Sequence, residues 1–275
     1  MSINLDLVIE TEEDTVDMKA ALDSMQGVSD AIRYAAEGIL TEKAPKRLSH
    51  KSNVRTSLKK SFKGSYGHIF SLDIIDADLQ KKLNAIGRSS FVEILAYLIS
   101  ESLYTESREL SPRAQKTLDK LGERAEDIVK QLRVSSLENI HEMPIKFNHS
   151  VKIRYRKSRE DQTIIARFDR NTATALQATQ SEQKIDLTVI VTRLNIHTGN
   201  GRLQIKGAEE TVAFGFGIEY KSVRLEAKKV FSANLDKNNG ASKDKWEYLK
   251  ISVVPIILKD GRVVKYIVKG FYGAE

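Results

Sequence analysis

From about residue 146 onward the texture of the chain changes to a series of short β-type runs, in the first of which Val151, Ile153 and Tyr155 alternate with Lys152, Arg154 and Arg156. The runs are SVKIRYR, QTIIARF, KIDLTVIVTRL, GRLQIKG, ETVAFGFG, YLKISVVPIIL and GRVVKYIVKGF. A period of two belongs to strands with one face buried. The links between the runs carry hairpin chemistry. Lys259-Asp260-Gly261-Arg262 contains Asp-Gly, a pair that accepts the positive φ angles of tight turns. HTGNGR at 197–202 joins two other runs in the same way. One helix is expected in SVRLEAKKVFSANL, 222–235. This half is therefore expected to form a mainly antiparallel β-sheet or a small barrel.

The first half reads differently. INLDLVIE alternates Ile3, Leu5, Leu7 and Ile9 with polar residues, as a half-buried strand does. A helix is expected from Asp14 to Leu40, with Met18, Ala21, Leu22, Met25, Val28, Ile32, Ala35, Ala36 and Ile39 on one face. Gly27 and Gly38 weaken it without changing its period. Residues 51–63 alternate again. Lys51, Asn53, Arg55, Ser57, Lys59, Ser61 and Lys63 share one parity, and Val54, Thr56, Leu58 and Phe62 share the other. KGS at 63–65 turns the chain into YGHIFSLDII. Two further helices are expected, at Ser89–Tyr104 and over SPRAQKTLDKLGERAEDIVKQLR, with Ser111 as its cap and Pro112 at its first position. The fold class is α+β. An N-terminal β-α-β-β unit with additional helices spans 1–145, and a β-rich basic domain spans 146–275, with the boundary near Pro144.

The chain has no cysteine, which excludes disulfides, thiolate nucleophiles and Cys-based zinc sites and fits a reducing compartment. The acidic first residues do not read as a signal peptide, and the longest apolar run, ISVVPIIL, is too short to span a membrane. A soluble cytoplasmic protein with no membrane partner is expected.

The net charge is +7, and its distribution matters more than its size. Residues 1–42 carry −8, 43–72 carry +8, 73–146 carry −2 and 147–275 carry +9. The acidic first segment balances the basic run after it, so the excess belongs to the second half. There Lys152, Arg154 and Arg156 share one parity, about 6.8 Å apart at two strand steps. Lys157 and Arg159 extend the ladder, and Arg55 and Lys59 lie on the earlier basic strand. Such a row suits the phosphates of an extended nucleic acid. Arg193, Arg202, Lys206, Lys265 and Lys269 sit on or beside other strands. Tyr155, Phe214, Phe216, Tyr220, Trp246, Tyr266 and Phe271 are of types that stack on bases, although aromatics alternating along strands more often fill cores.

Catalytic patterns are weak. The five histidines are scattered, and neither a GxSxG nor a Walker loop is present. Two acid-x-Lys triplets, Glu219 with Lys221 and Glu226 with Lys228, resemble part of a metal-dependent nuclease site, with Asp169 or Asp186 as upstream acids. Triplets of this kind arise readily by chance in so charged a chain. The expectation is a non-catalytic protein without cofactor or metal. It would bind nucleic acid through phosphate contacts on a basic C-terminal sheet. The alternatives are a protein-interaction or assembly module, as homo-oligomer or subunit, and a metal-dependent nuclease.

Overall fold

A computed structural model of the chain describes residues 1–12, 15–45, 47–49, 52–62, 66–134 and 136–272. The expected turn at 63–65, together with His50, Lys51 and Lys63, lies outside the described residues. The chain forms two compact units, Met1–Leu176 and Gln177–Glu275.

The first unit contains β1 (Ser2–Ile9), α1 (Met18–Thr41), β2 (Val54–Phe62) and β3 (Tyr66–Ile74). Six helices follow: α2 (Ala77–Ile86), α3 (Arg88–Ser102), α4 (Pro112–Leu121), α5 (Glu123–Val134), α6 (Ser136–Ile140) and α7 (Glu142–Phe147). The unit ends with β4 (Val151–Arg156), β5 (Gln162–Phe168) and α8 (Arg170–Ala175). The strands form one sheet in the order β2-β3-β1-β4-β5, antiparallel at every pairing.

This pairing moves the domain boundary. β4 joins β1, with Leu5 opposite Tyr155 and Leu7 opposite Ile153. The division therefore falls after Leu176 and not near residue 145. Strand pairing across more than 140 residues of chain overrides the change in texture that sequence shows. With this division, residues 177–275 hold 16 Lys or Arg against 11 Asp or Glu, a net of +5, so much of the charge assigned to the second half belongs to the first unit.

One face of the sheet buries Ile3, Leu5, Leu7, Ile9, Val54, Phe70, Leu72, Ile153 and Phe168 against the helices. α1 supplies Ala21, Val28, Ile32 and Ile39 from the expected face. Its Asp17 cap accepts from the Ala20 N–H at 2.9 Å. The helix expected over 111–133 is two helices. Gly122 adopts φ +54° and its N–H closes α4 on the Leu118 carbonyl at 3.1 Å, and α5 begins at Glu123. α2 went unforeseen because its apolar stripe is thin and only Leu83 is buried.

The second unit contains β6 (Thr179–Gln180), β7 (Ile185–Leu194), β8 (Gly201–Ile205), β9 (Thr211–Gly215), α9 (Leu225–Asn238), β10 (Leu249–Ile257) and β11 (Val263–Phe271). β7–β8, β8–β9, β7–β10 and β10–β11 pair antiparallel, and β9–β11 pair parallel. These pairings close a five-stranded barrel, with β6 added at β10. The core holds Val189, Val191, Leu203, Phe214, Ile251, Val253 and Val268, and α9 inserts Phe231. Asn234 of α9 accepts from the Val191 N–H at 2.8 Å, tying helix to barrel. Three antiparallel strands, a helix, then two strands that close the ring is the connectivity of an OB barrel. Both expected hairpin turns are present, with Gly261 at φ +87° and Gly199 at φ +72°.

Candidate nucleic-acid interface

Within the first unit, no described helix packs on the second face of the sheet, and that face collects cations. Register places Ser2, Asn4, Asp6 and Val8 of β1 beside Asp73, Ser71, Ile69 and Gly67 of β3. Arg154 lies opposite Asp6, and Lys152 opposite Val8. Arg55 lies opposite Asp73 on the other side of β3.

β2 does not keep its alternation. The register slips between Leu58, opposite Phe70, and Lys60, opposite Ile69. This bulge inserts Lys59 as an extra residue. Arg55, Ser57 and Lys59 point to the open face before it, and Lys60 and Phe62 do so after it. Phe62, expected on the apolar side, is thereby swung onto the basic face. There it lies over Gly67, where a Cβ would collide with its ring.

Arg55, Lys59, Lys60, Lys152, Arg154, Arg156 and Arg167 therefore share this face, and Arg159 joins them from the β4–β5 turn. The carboxylates beside them are Asp6, Glu10 and Asp73. Asp6 is fully buried and holds two guanidinium groups. Arg156 donates to both of its oxygens, at 2.5 and 2.8 Å, and Arg154 donates at 3.0 Å. Both guanidinium carbons lie 5.6 Å from the centre of the Phe62 ring. Lys152 pairs with Glu10, which also meets Arg167 at 3.3 Å. At Asp73, burial acts to raise the carboxyl pKa. Hydrogen bonds from Ser2, Ser57 and Ser71 and the charge of Lys59 outweigh it and hold the group below its ordinary value.

Arg55, Lys59, Lys60 and Arg159 form no ion pair with a described carboxylate. Lys59 donates to Asn4 Oδ1 at 2.8 Å, and Arg55 to the Ser52 carbonyl at 3.2 Å. The acids of α1 do not neutralise them directly, because α1 packs on the other face of the sheet. A cleft of 930 Å³ lies on this face. One wall is Lys59, Lys60, Ser61 and Phe62, the other is Arg154, Arg156, Arg159 and Gln162, and Asn4 and Ile69 form its floor.

The structure thus gathers Lys59, Arg154, Arg156 and Arg159 into one cleft, but on the N-terminal sheet and not on a C-terminal one. Lys152 and Arg55 share its face outside the cleft. Lys157 does not line it and pairs with Asp161 at 3.5 Å. Lys60 and Phe62 were missed. The adjacent pair Lys59-Lys60 in an alternating strand was the available signal, since two successive cations on one face require a bulge.

The remaining candidates are not brought together. Glu219 and Lys221 pair at the surface at 2.7 Å. Lys228 lies 4.8 Å from the centre of the Tyr220 ring, and Glu226 sits in the first turn of α9. Asp169 caps α8 in the first unit, while Asp186 accepts from the Tyr272 hydroxyl in the second at 2.8 Å. Among the described residues no three His, Cys, Asp or Glu side chains converge as metal ligands. In the barrel, Arg202 is held by Thr211 at 2.8 and 2.7 Å, and Lys265 by Asn200 at 3.0 Å. Tyr155, Phe214, Tyr220 and Tyr266 are buried, as core aromatics are, and Trp246 donates its indole N–H to the Ala241 carbonyl at 3.1 Å.

The protein is thus an α+β chain with a basic sheet face in one unit, on which no described helix of that unit packs, and a closed barrel in the other. No described helix is long and apolar enough to cross a membrane. Comparison with protein-family models, curated proteins and solved structures finds no match to this chain.

Proposed function

We propose that the protein binds nucleic acid without reacting with it, and that the open face of the N-terminal sheet makes the contacts. The observation that carries this reading is the cleft whose facing walls present Lys59, Lys60, Arg154, Arg156 and Arg159. The buried carboxylate beneath it fixes two guanidinium groups and leaves the surface cationic. A polyanion gains there by releasing its condensed counterions. The connectivity of the barrel adds an analogy of fold alone, since OB barrels often hold extended chains.

The test is fluorescence anisotropy of a labelled oligonucleotide with the full chain over a range of salt concentrations. Binding should weaken steeply with salt. The variant Lys59→Gln/Lys60→Gln/Arg159→Gln should bind more weakly with a shallower slope. No binding at low salt, or an unchanged slope in the variant, overturns the proposal.

A further inference from the structure

We infer that the cleft on the first sheet takes an unpaired strand and not a duplex, with a base laid against Phe62. This rests on the nucleic-acid reading above and specifies the substrate class. Three features of the cleft carry it.

The cations occupy two facing walls, one on β2 and one on β4 and the turn after it. A single backbone threaded between them meets charge on both sides. A duplex presents its phosphates on a convex surface, which matches a two-walled cleft less well than a single backbone does.

The apolar surface in the cleft has no use in duplex binding. Phe62 and Ile69 line it between the cations. Sugar-phosphate ridges offer little flat apolar surface to match them, whereas the faces of an unstacked base do.

Phe62 is also held in place. The bulge at Lys59 brings it to this face, Gly67 provides room beneath the ring, and the Arg154 and Arg156 guanidinium groups reach over it at 5.6 Å from its centre. A ring fixed on one charged wall and facing the other is a stacking platform whose base and flanking phosphates are engaged together.

The experiment compares a single-stranded oligonucleotide with a duplex of the same length and sequence, using the full chain at one low salt concentration. The single strand should bind at least about tenfold more tightly. Phe62→Leu should weaken single-strand binding by about five- to a hundredfold and leave duplex binding unchanged. Because Phe62 is partly buried, a second readout needs no variant. An oligonucleotide carrying 5-iodouracil, irradiated on the unmodified protein, should crosslink within 59–62 or at Ile69. Equal binding of both forms, or crosslinks confined to other segments, overturns this inference and leaves the proposed function standing. Absence of binding to either form removes both.

Discussion

Arg156 grips Asp6 through two hydrogen bonds, Nε to Oδ1 at 2.5 Å and Nη2 to Oδ2 at 2.8 Å, while the carboxylate itself has no exposed surface. Arg154 adds a third bond. The basic ladder is therefore part of the sheet's own structure. Asp6→Ala leaves two guanidinium groups without their counter-charge. Removal of one partner from a buried pair destabilises by about 3–5 kcal/mol. The urea midpoint should fall accordingly, and an unchanged midpoint would show that the cluster contributes nothing to folding.

The exposed cations should behave in the opposite way. Lys59, Lys60 and Arg159 are exposed and form no ion pair with a described carboxylate. Replacement of each by Gln should change stability by no more than about 0.5 kcal/mol. The three replacements together should lower the slope of log K against log salt by about 2, if each meets one phosphate of a single strand. Thermal melting and a salt titration of the same triple variant check both halves. A large loss of stability would place these side chains in the fold and not in the interface.

The sequence made the ladder of Lys152, Arg154 and Arg156 legible because a strand's parity is local. It hid their sheet, because the pairing of β4 with β1 is decided by contacts far apart in the chain. Alternation likewise reveals β2 but not its bulge, so parity alone places Phe62 on the wrong face. The barrel was legible as a class from its short runs and turn residues. The parallel closure of β9 on β11 was not, since a local pattern carries no record of which edges meet.

Gly27 reverses its sequence reading. Expected only to weaken α1, it lets α6 approach closely. A Cβ there would lie 2.6 Å from the Ile140 backbone nitrogen and 2.9 Å from the Ser136 carbonyl oxygen. Beside it the Ser24 hydroxyl donates to the Ile140 carbonyl at 3.1 Å. Gly27→Ala gains about 1 kcal/mol in helix propensity. The collision is with backbone, which cannot rotate away, and overpacking costs about 1–3 kcal/mol. Net destabilisation by chemical denaturation is the expected result, and a stabilised variant would show that the α1–α6 contact yields easily.

His141 makes the stability of the chain depend on pH in a defined window. The ring has no exposed surface, and burial pushes its pKa below the ordinary 6.5. The hydrogen bond to the Leu137 carbonyl and the charge of Asp169 oppose this without cancelling it. Nδ1 donates to that carbonyl at 2.7 Å, which leaves Nε2 to accept from the Thr172 hydroxyl at 2.9 Å. Protonation would put a second donor and a charge into this site. Between the lowered folded value and the unfolded value of about 6.5, the unfolded chain binds more protons, so stability rises with pH. The contribution is complete above about pH 6.5 and declines as pH falls below it. His68, lowered by burial as well, adds in the same direction. Asp73 acts in a separate window, below its ordinary 3.8, where loss of its charge removes the stability gained from the three serines and Lys59. The melting temperature should therefore be level from pH 8 to pH 7 and drop towards pH 5. His141→Gln should have a lower melting temperature at neutral pH and a smaller drop. An equal drop in the variant would assign the pH dependence to other groups.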